Sequence, residues 1–340
     1  MVITIKDVAK AANVAPSTVS RVIADNPRIS EKTKRKVREV MEQLGYYPNL
    51  QARSLAQKST QTIGVVFPNS GMNSFQNPFF PIVLQGISTV AHSKKYGMYF
   101  STGATEDEIY EEVYSMVQGK RVDGIVLLSS RVNDKTMLFL EENDFPFTVV
   151  GRPYKNESQI TYVDNDNIFI TRQVTEYLIE LGHRNIAFIG GDKHFVVTCD
   201  RLNGYKLALA EAGIPFREEY VVHNIKSTEN GREVIKSLIT MESPPTALVT
   251  LDDSMAYTLI SHLDKLNVRV PEDISIVSFN NYMLSEHLKP PLTSVDISIF
   301  QLGFEATNCL LEKINNPNVL PKRITIPTKL IIRKSCAPKH

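Results

Sequence analysis

The sequence lacks any long apolar run, any pattern of paired cysteines and almost any net charge, and each lack removes a class of protein. No segment approaches the ~18 consecutive apolar residues of a membrane span. No apolar stretch follows a basic start, so no secretory leader is expected. Cys199, Cys309 and Cys336 are odd in number and far apart. They give neither a disulfide framework nor a metal-ligand spacing, and a reducing cytoplasm is the expected setting. Gly190-Gly191-Asp192 follows an apolar run but lacks the glycine spacing and the Lys-Ser/Thr ending of a P-loop. His183, just before a strand-like run, reads as structural, and His92 as an exposed helical residue. No nucleophilic triad and no cofactor motif stand out, so an enzyme is not expected.

What is present is concentrated at the start. The net charge of +1 joins two unequal parts: residues 1–60 hold eleven Lys or Arg against five Asp or Glu, a balance of +6, and the rest holds 27 against 32, a balance of −5. A basic segment ahead of a mildly acidic body fits a nucleic-acid partner for the first part only. Some of Lys32, Lys34, Arg35, Lys36 and Arg38 read equally well as a solvated helix face. Within this segment Val8, Ala11 and Ala12 recur at helical spacing, and small Ala9 lets a second helix approach. Asn13 stands where the chain must turn, a place for a left-handed residue. Pro16 suits the first turn of the next helix, where its missing N–H costs nothing. Val19, Val22 and Ile23 hold that helix inward, while Ser17, Thr18, Ser20 and Arg21 include its outward polar positions. This is a helix-turn-helix whose second helix a DNA major groove accepts; the plainer alternative is a helical hairpin that only packs. A third helix is expected over Glu31–Leu44, capped by Ser30, stopped by Gly45 and buried along Val37, Val40, Met41 and Leu44. Leu50 to Ala56 holds helix formers without a core of its own, and a helix so short is marginal alone.

The body alternates apolar strands with amphipathic helices. Strands are expected at Ile63–Phe67, Met98–Phe100, Gly124–Leu128 and Phe147–Val150, and again at Ile186–Ile189, Ala247–Thr250 and Ile274–Phe279, with a helix over Pro81–Tyr96. Two such series imply two doubly wound parallel-sheet lobes. Ligands of these sheets bind outside the C-terminal strand ends, here facing each other across a cleft.

The run Ile5-Lys6-Asp7-Val8-Ala9, then Val14, then Thr18-Val19-Ser20-Arg21-Val22 resembles the DNA-binding headpiece of the LacI/GalR repressors. Ser30–Gly45 resembles that family's third helix and Asn49–Lys58 its hinge. The resemblance runs through most of the chain, with one departure: Ala15 stands where the family usually has a Ser or Thr cap. It implies a periplasmic-binding-protein-like core behind an all-α headpiece, with three crossovers between the lobes, near Tyr162-Val163, Pro291-Leu292 and Lys322. The implied divisions are 1–47 for the headpiece and 48–60 for the hinge. The N-terminal lobe would take 61–162 and 292–322, and the C-terminal lobe 163–291 and 323–340. Implied DNA contacts are Thr4, Pro16, Ser17, Thr18, Ser20 and Arg21, with Asn49, Ala52, Arg53 and the wedge residue Leu55 in the minor groove.

The resemblance also places an effector site. Arg201-Leu202-Asn203-Gly204-Tyr205 is similar to the family's ligand-gripping element. By the same match Asp252 faces the ligand and Asp253 caps the following helix. Asn280 replaces an Asp common in the family, which argues against a cationic effector. Phe79 and Phe80, in a loop after the first strand, Arg152 after the fourth, Phe195 and Tyr282 complete the set. Gly151-Arg152-Pro153 with Phe279-Asn280-Asn281 is similar to the maltose-operon repressor branch. The expected function is therefore a ligand-responsive repressor of a sugar-utilisation operon, binding a pseudo-palindromic double-stranded DNA operator as a homodimer, with a small neutral sugar, maltose or a malto-oligosaccharide, as effector and no membrane or metal. No heptad tail argues for a tetramer. Alternatives are a global carbon catabolite regulator driven by a phosphoprotein partner, a sugar-binding protein, or a sugar-processing enzyme.

Overall fold

The computed structural model describes residues 3–47, 59–68, 71–223 and 228–339. They form two compact units, divided after Thr60.

The first unit is three helices: α1 (Ile5–Ala12), α2 (Pro16–Ile23) and α3 (Glu31–Leu44). Asn13 takes the left-handed conformation, φ 49° and ψ 53°, and turns the chain. Pro16 opens α2, and Ala15 before it offers no side chain to the free N–H groups of the first turn. Val8, Ala9, Ala12, Val19, Val22 and Val37 make the core. Ala11, expected inside, is exposed; Ala9 is buried instead, beside Val8 and Ala12, so the buried stripe widens on the Ala9 flank of the helix. Ser30 accepts from the Thr33 N–H at 3.3 Å, and Gly45 ends α3 at φ 64°. The hinge segment, with Asn49, Ala52, Arg53 and Leu55, lies outside the described residues.

The second unit carries β1 (Thr62–Val66), β2 (Gly97–Phe100), β3 (Gly124–Leu127), β4 (Phe147–Val150), β5 (Tyr162–Asp164), β6 (Ile186–Gly190), β7 (Val221–His223), β8 (Ala247–Thr250), β9 (Ser275–Phe279), β10 (Thr293–Asp296), β11 (Arg323–Thr325) and β12 (Lys329–Ile331). One sheet runs β11-β5-β4-β3-β1-β2 and the other β12-β10-β9-β8-β6-β7. Every pairing is parallel except that of β12 with β10. Each sheet is covered by a pair of closely packed helices. A Cβ on Gly303 would lie 2.2 Å from the Val83 carbonyl oxygen, and one on Gly204 2.2 Å from that of Ile168. Only glycine lets those backbones approach so near.

The chain changes lobe three times, at 165–166, 297–298 and 326–328, because β5 and β11 belong to the first sheet and β10 and β12 to the second. These points lie a few residues beyond the crossovers expected at Tyr162-Val163, Pro291-Leu292 and Lys322. The expected boundaries put β10 in the N-terminal lobe and β11 in the C-terminal one; their hydrogen bonds to β9 and β5 place them the other way. Asn165 joins all three crossings: its side-chain amide donates to the Ile297 carbonyl at 3.1 Å and to that of Ile326 at 2.9 Å.

Candidate ligand-binding cleft

Between the lobes, at the carboxyl ends of both sheets, lies a cavity of 490 Å³. Its polar wall comes from strand ends and from the first turns of the helices that follow them. Asp164 ends β5 and Asn165 and Asn167 follow it, Ser129 and Ser130 follow β3, Asp252 follows β8 and Asn280 follows β9. Thr198 and Arg201 stand on the helix Val196–Glu211.

Arg201 is 4% exposed. It donates through Nε to Asn167 Oδ1 at 3.1 Å and through Nη1 to the Leu251 carbonyl. Its guanidinium lies 4.0 Å from the Phe279 ring centroid. Burial pulls its pKa down to about 10, with the Asp252 and Asp164 carboxylates opposing, so it stays charged at neutral pH. Asp164 accepts from the N–H groups of Arg152 and Asn165 and from the Asn167 amide. Burial nevertheless pushes its carboxyl up to about 6, although the side chain opens on the cavity. Asp252 accepts from the Met255 N–H at 2.8 Å and from Asn77 Nδ2 at 3.3 Å. It is thus the helix cap, the role expected of Asp253. Asp253 instead is fully buried and accepts from Tyr282 N, Ser285 Oγ and Ser294 Oγ, at 2.8, 2.6 and 2.6 Å; three inward-facing donors hold it away from the helix end. Ser130 Oγ and Thr198 Oγ1 are buried without a hydrogen-bond partner among the described residues, and both residues line the cavity.

Of the expected effector residues, Phe79, Phe80, Phe195, Arg201, Asp252 and Asn280 line the cavity. Phe79 and Phe80 are not in a loop; they open the helix Phe79–Ser93, and Phe80 packs edge-on against Phe67 as core. Arg152 and Tyr282 are off the cavity wall. The Arg152 guanidinium is committed to Asp200, at 3.1 and 2.7 Å, an ion pair from one lobe to the other. Tyr282 is 3% exposed and gives its hydroxyl proton to Asn77 across the cleft at 2.8 Å. A third lobe-to-lobe contact is a short backbone bridge: Val132 N–H donates to the His194 carbonyl at 2.9 Å and Val196 N–H to that of Ser130 at 3.0 Å. Arg131 lies over the Phe195 ring at this bridge. Sequence reading passed over Asn77, Asp164, Asn167, Ser130 and Thr198. Ser130 was within reach of the strand-end rule, since it follows a recognised strand; Asp164 was not, because β5 itself is only three residues long.

On the headpiece, Pro16, Ser17, Ser20 and Arg21 are exposed along α2 and Thr18 is half-buried. Thr4 caps α1, and its hydroxyl donates to Asp7 at 2.7 Å. Among the described residues no helix is long and apolar enough to cross a membrane.

A helix-turn-helix unit ahead of a two-lobed, parallel-sheet core with a polar cleft defines a class: the ligand-responsive transcriptional regulators. Residues 4–49 match the bacterial regulatory proteins of the lacI family, and residues 175–336 the periplasmic binding protein-like domain. The HTH-type transcriptional regulator MalR of Streptococcus pneumoniae serotype 4 is 38% identical over 93% of this chain and 94% of its own. Catabolite control protein A of Priestia megaterium is 32% identical over 98% of this chain and 99% of its own. Among solved structures, a LacI-type regulator from Bacillus cereus subsp. cytotoxis is 48% identical, with a TM-score of 0.80 over 82% of this chain and 99% of that one. The complex of the regulator CelR with cellobiose is 31% identical, with a TM-score of 0.76 over 98% of this chain and 99% of that one. The chain belongs to the LacI family of transcriptional regulators, and is not an enzyme.

Proposed function

We propose that the protein is a cytoplasmic repressor of a sugar-utilisation operon, that it binds a pseudo-palindromic operator as a dimer, and that its effector is a neutral malto-oligosaccharide held between the lobes. The observation that carries the effector is a cavity wall dense in neutral and charged polar side chains from both lobes: Asn77, Asp164, Asn167, Arg201, Asp252 and Asn280. Such a wall offers both donors and acceptors, which a ligand dense in hydroxyls, each able to donate and accept, can pair with. Phe79 and Phe195 supply flat apolar faces for the C–H side of a sugar ring. Three carboxylates, Asp164, Asp192 and Asp252, against one guanidinium disfavour an anionic effector. A cavity of 490 Å³ lies within the ~300–1,000 Å³ of small-molecule sites. The likeness to MalR and to a cellobiose-bound regulator points to a disaccharide or a short oligomer of it.

Calorimetry with maltose, maltotriose, glucose and a purine base tests the reading. Saturable heat is expected with the first two, and Arg201→Ala abolishes it while leaving operator binding in place. Saturation by the purine and by none of the sugars would overturn it. A second reading, the global catabolite regulator, draws on the likeness to catabolite control protein A. Operator binding that needs a phosphorylated partner protein and ignores sugars would favour it.

A further inference from the structure

Asn77 stands in the N-terminal lobe and makes hydrogen bonds to two residues of the C-terminal lobe. Its Nδ2 donates to Asp252 at 3.3 Å, and its Oδ1 accepts from the Tyr282 hydroxyl at 2.8 Å. The same Oδ1 accepts from the backbone N–H of Phe79 at 3.0 Å. That backbone donor settles which end of the amide is oxygen, since a backbone N–H has no other role. With Oδ1 fixed, Tyr282 must give its one proton to Asn77. Its oxygen can then only accept from position 280, and Asn280 Nδ2 does donate to it, at 2.7 Å. The chain of bonds thus has one direction: Asn280 to Tyr282, Tyr282 to Asn77, Asn77 to Asp252.

We propose that Asn77, its amide held in one orientation by the Phe79 N–H, clasps the two lobes through Tyr282 and Asp252, and that the clasp needs at position 280 a group, such as the Asn280 amide, that does not take the Tyr282 proton. A carboxylate at 280 has no proton to give. Tyr282 would turn its proton to that carboxylate, two bare oxygens would then face each other between Tyr282 and Asn77, and the clasp would be lost. Removing the side chain altogether has a milder effect, because Tyr282 keeps its proton for Asn77. The inference rests on reading the cleft as the effector site that closes, but the relay is testable without any ligand.

Among the described residues the Val132 and Val196 amides donate across the cleft, to the His194 and Ser130 carbonyls, so their hydrogen exchange in the full-length chain reports closure. Asn280→Asp and Tyr282→Phe are expected to speed both amides by about tenfold, the loss of a lobe-to-lobe hydrogen bond. Asn280→Gly suits the φ of 99° at this position and is expected to leave both within about twofold of wild type. Core amides of β6 and β8 serve as the folding control. Equal exchange in wild type and Asn280→Asp overturns the proposal. So does opening by Asn280→Gly as large as that by Asn280→Asp, which would reduce Asn280 to packing. Adding maltose to the wild type is a separate arm: no slowing there would sink the sugar reading and leave the ligand-free relay result standing.

Discussion

Arg21 and Lys34 are two basic residues of the headpiece at opposite extremes of solvation. Arg21 is exposed on α2, whereas Lys34 is 6% exposed and sits 3.1 Å from Asp25 and 2.9 Å from Glu31. The first is free to reach a base edge; the second is spent on two carboxylates at the headpiece surface. Arg21→Ala should cost on the order of 1–3 kcal/mol of operator binding and relax one operator position. Lys34→Ala should lower the melting temperature of the headpiece and leave the selected sequence unchanged. Selection from a randomised operator library separates the two, and an unshifted preference in Arg21→Ala would mean that α2 is docked the wrong way. Asp164 gives the pH-dependent case. Its pKa stands at about 6 in the folded chain because burial outweighs the three N–H groups it accepts from, against ~4 when unfolded. The folded state therefore holds more protons between those values, and this group's contribution to stability falls as pH rises from about 4 to about 6. Carboxyl NMR should show it titrating near 6; a midpoint near 4 would mean that cavity water solvates it fully.

Helix ends and buried strands were readable in the sequence because each leaves a local mark. Ser30 and Gly45 bracket α3 where capping chemistry puts them, and the apolar runs at 147–150 and 247–250 are strands at those bounds. The strand β10 left no such mark. Thr293-Ser294-Val295-Asp296 is mostly polar, yet Thr293 and Ser294 are fully buried. Their polarity is absorbed by distant partners: Ser294 gives its proton to Asp253, and Thr293 accepts from the Arg333 N–H. With that strand unseen, the second crossover was placed too early. The crossings themselves depend on one amide. Asn165→Ala would leave the Ile297 and Ile326 carbonyls without their donor and should cost about 2 kcal/mol in urea unfolding of the core; a change below a few tenths would show that water replaces the amide at no penalty. In the headpiece the missing cap works in the other direction. Ala15 already has the extended backbone of a cap residue, φ −70° and ψ 148°, so Ala15→Ser should raise the protection of α2 amides from exchange by about 1 kcal/mol.

The whole molecule divides its labour by charge: a basic segment of +6 at residues 1–60 and a body of −5, with the polar cavity confined to the body. Operator affinity should accordingly fall steeply with salt, and sugar affinity hardly at all, since only the first releases counterions. If one two-state change of the lobes links the proposed cleft to the operator, the coupling is reciprocal. Whatever factor maltose imposes on operator affinity, operator DNA must impose on maltose affinity, typically about 5- to 150-fold. Operator titrations with and without saturating maltose give the first factor, and calorimetry of maltose with and without operator gives the second. The two should agree within error in the wild type, and both should fall to one in Arg201→Ala while ligand-free operator binding holds. Two factors of one in the wild type, with maltose still bound, would mean that the cleft binds sugar without speaking to the headpiece, and the repressor mechanism would then need a different effector.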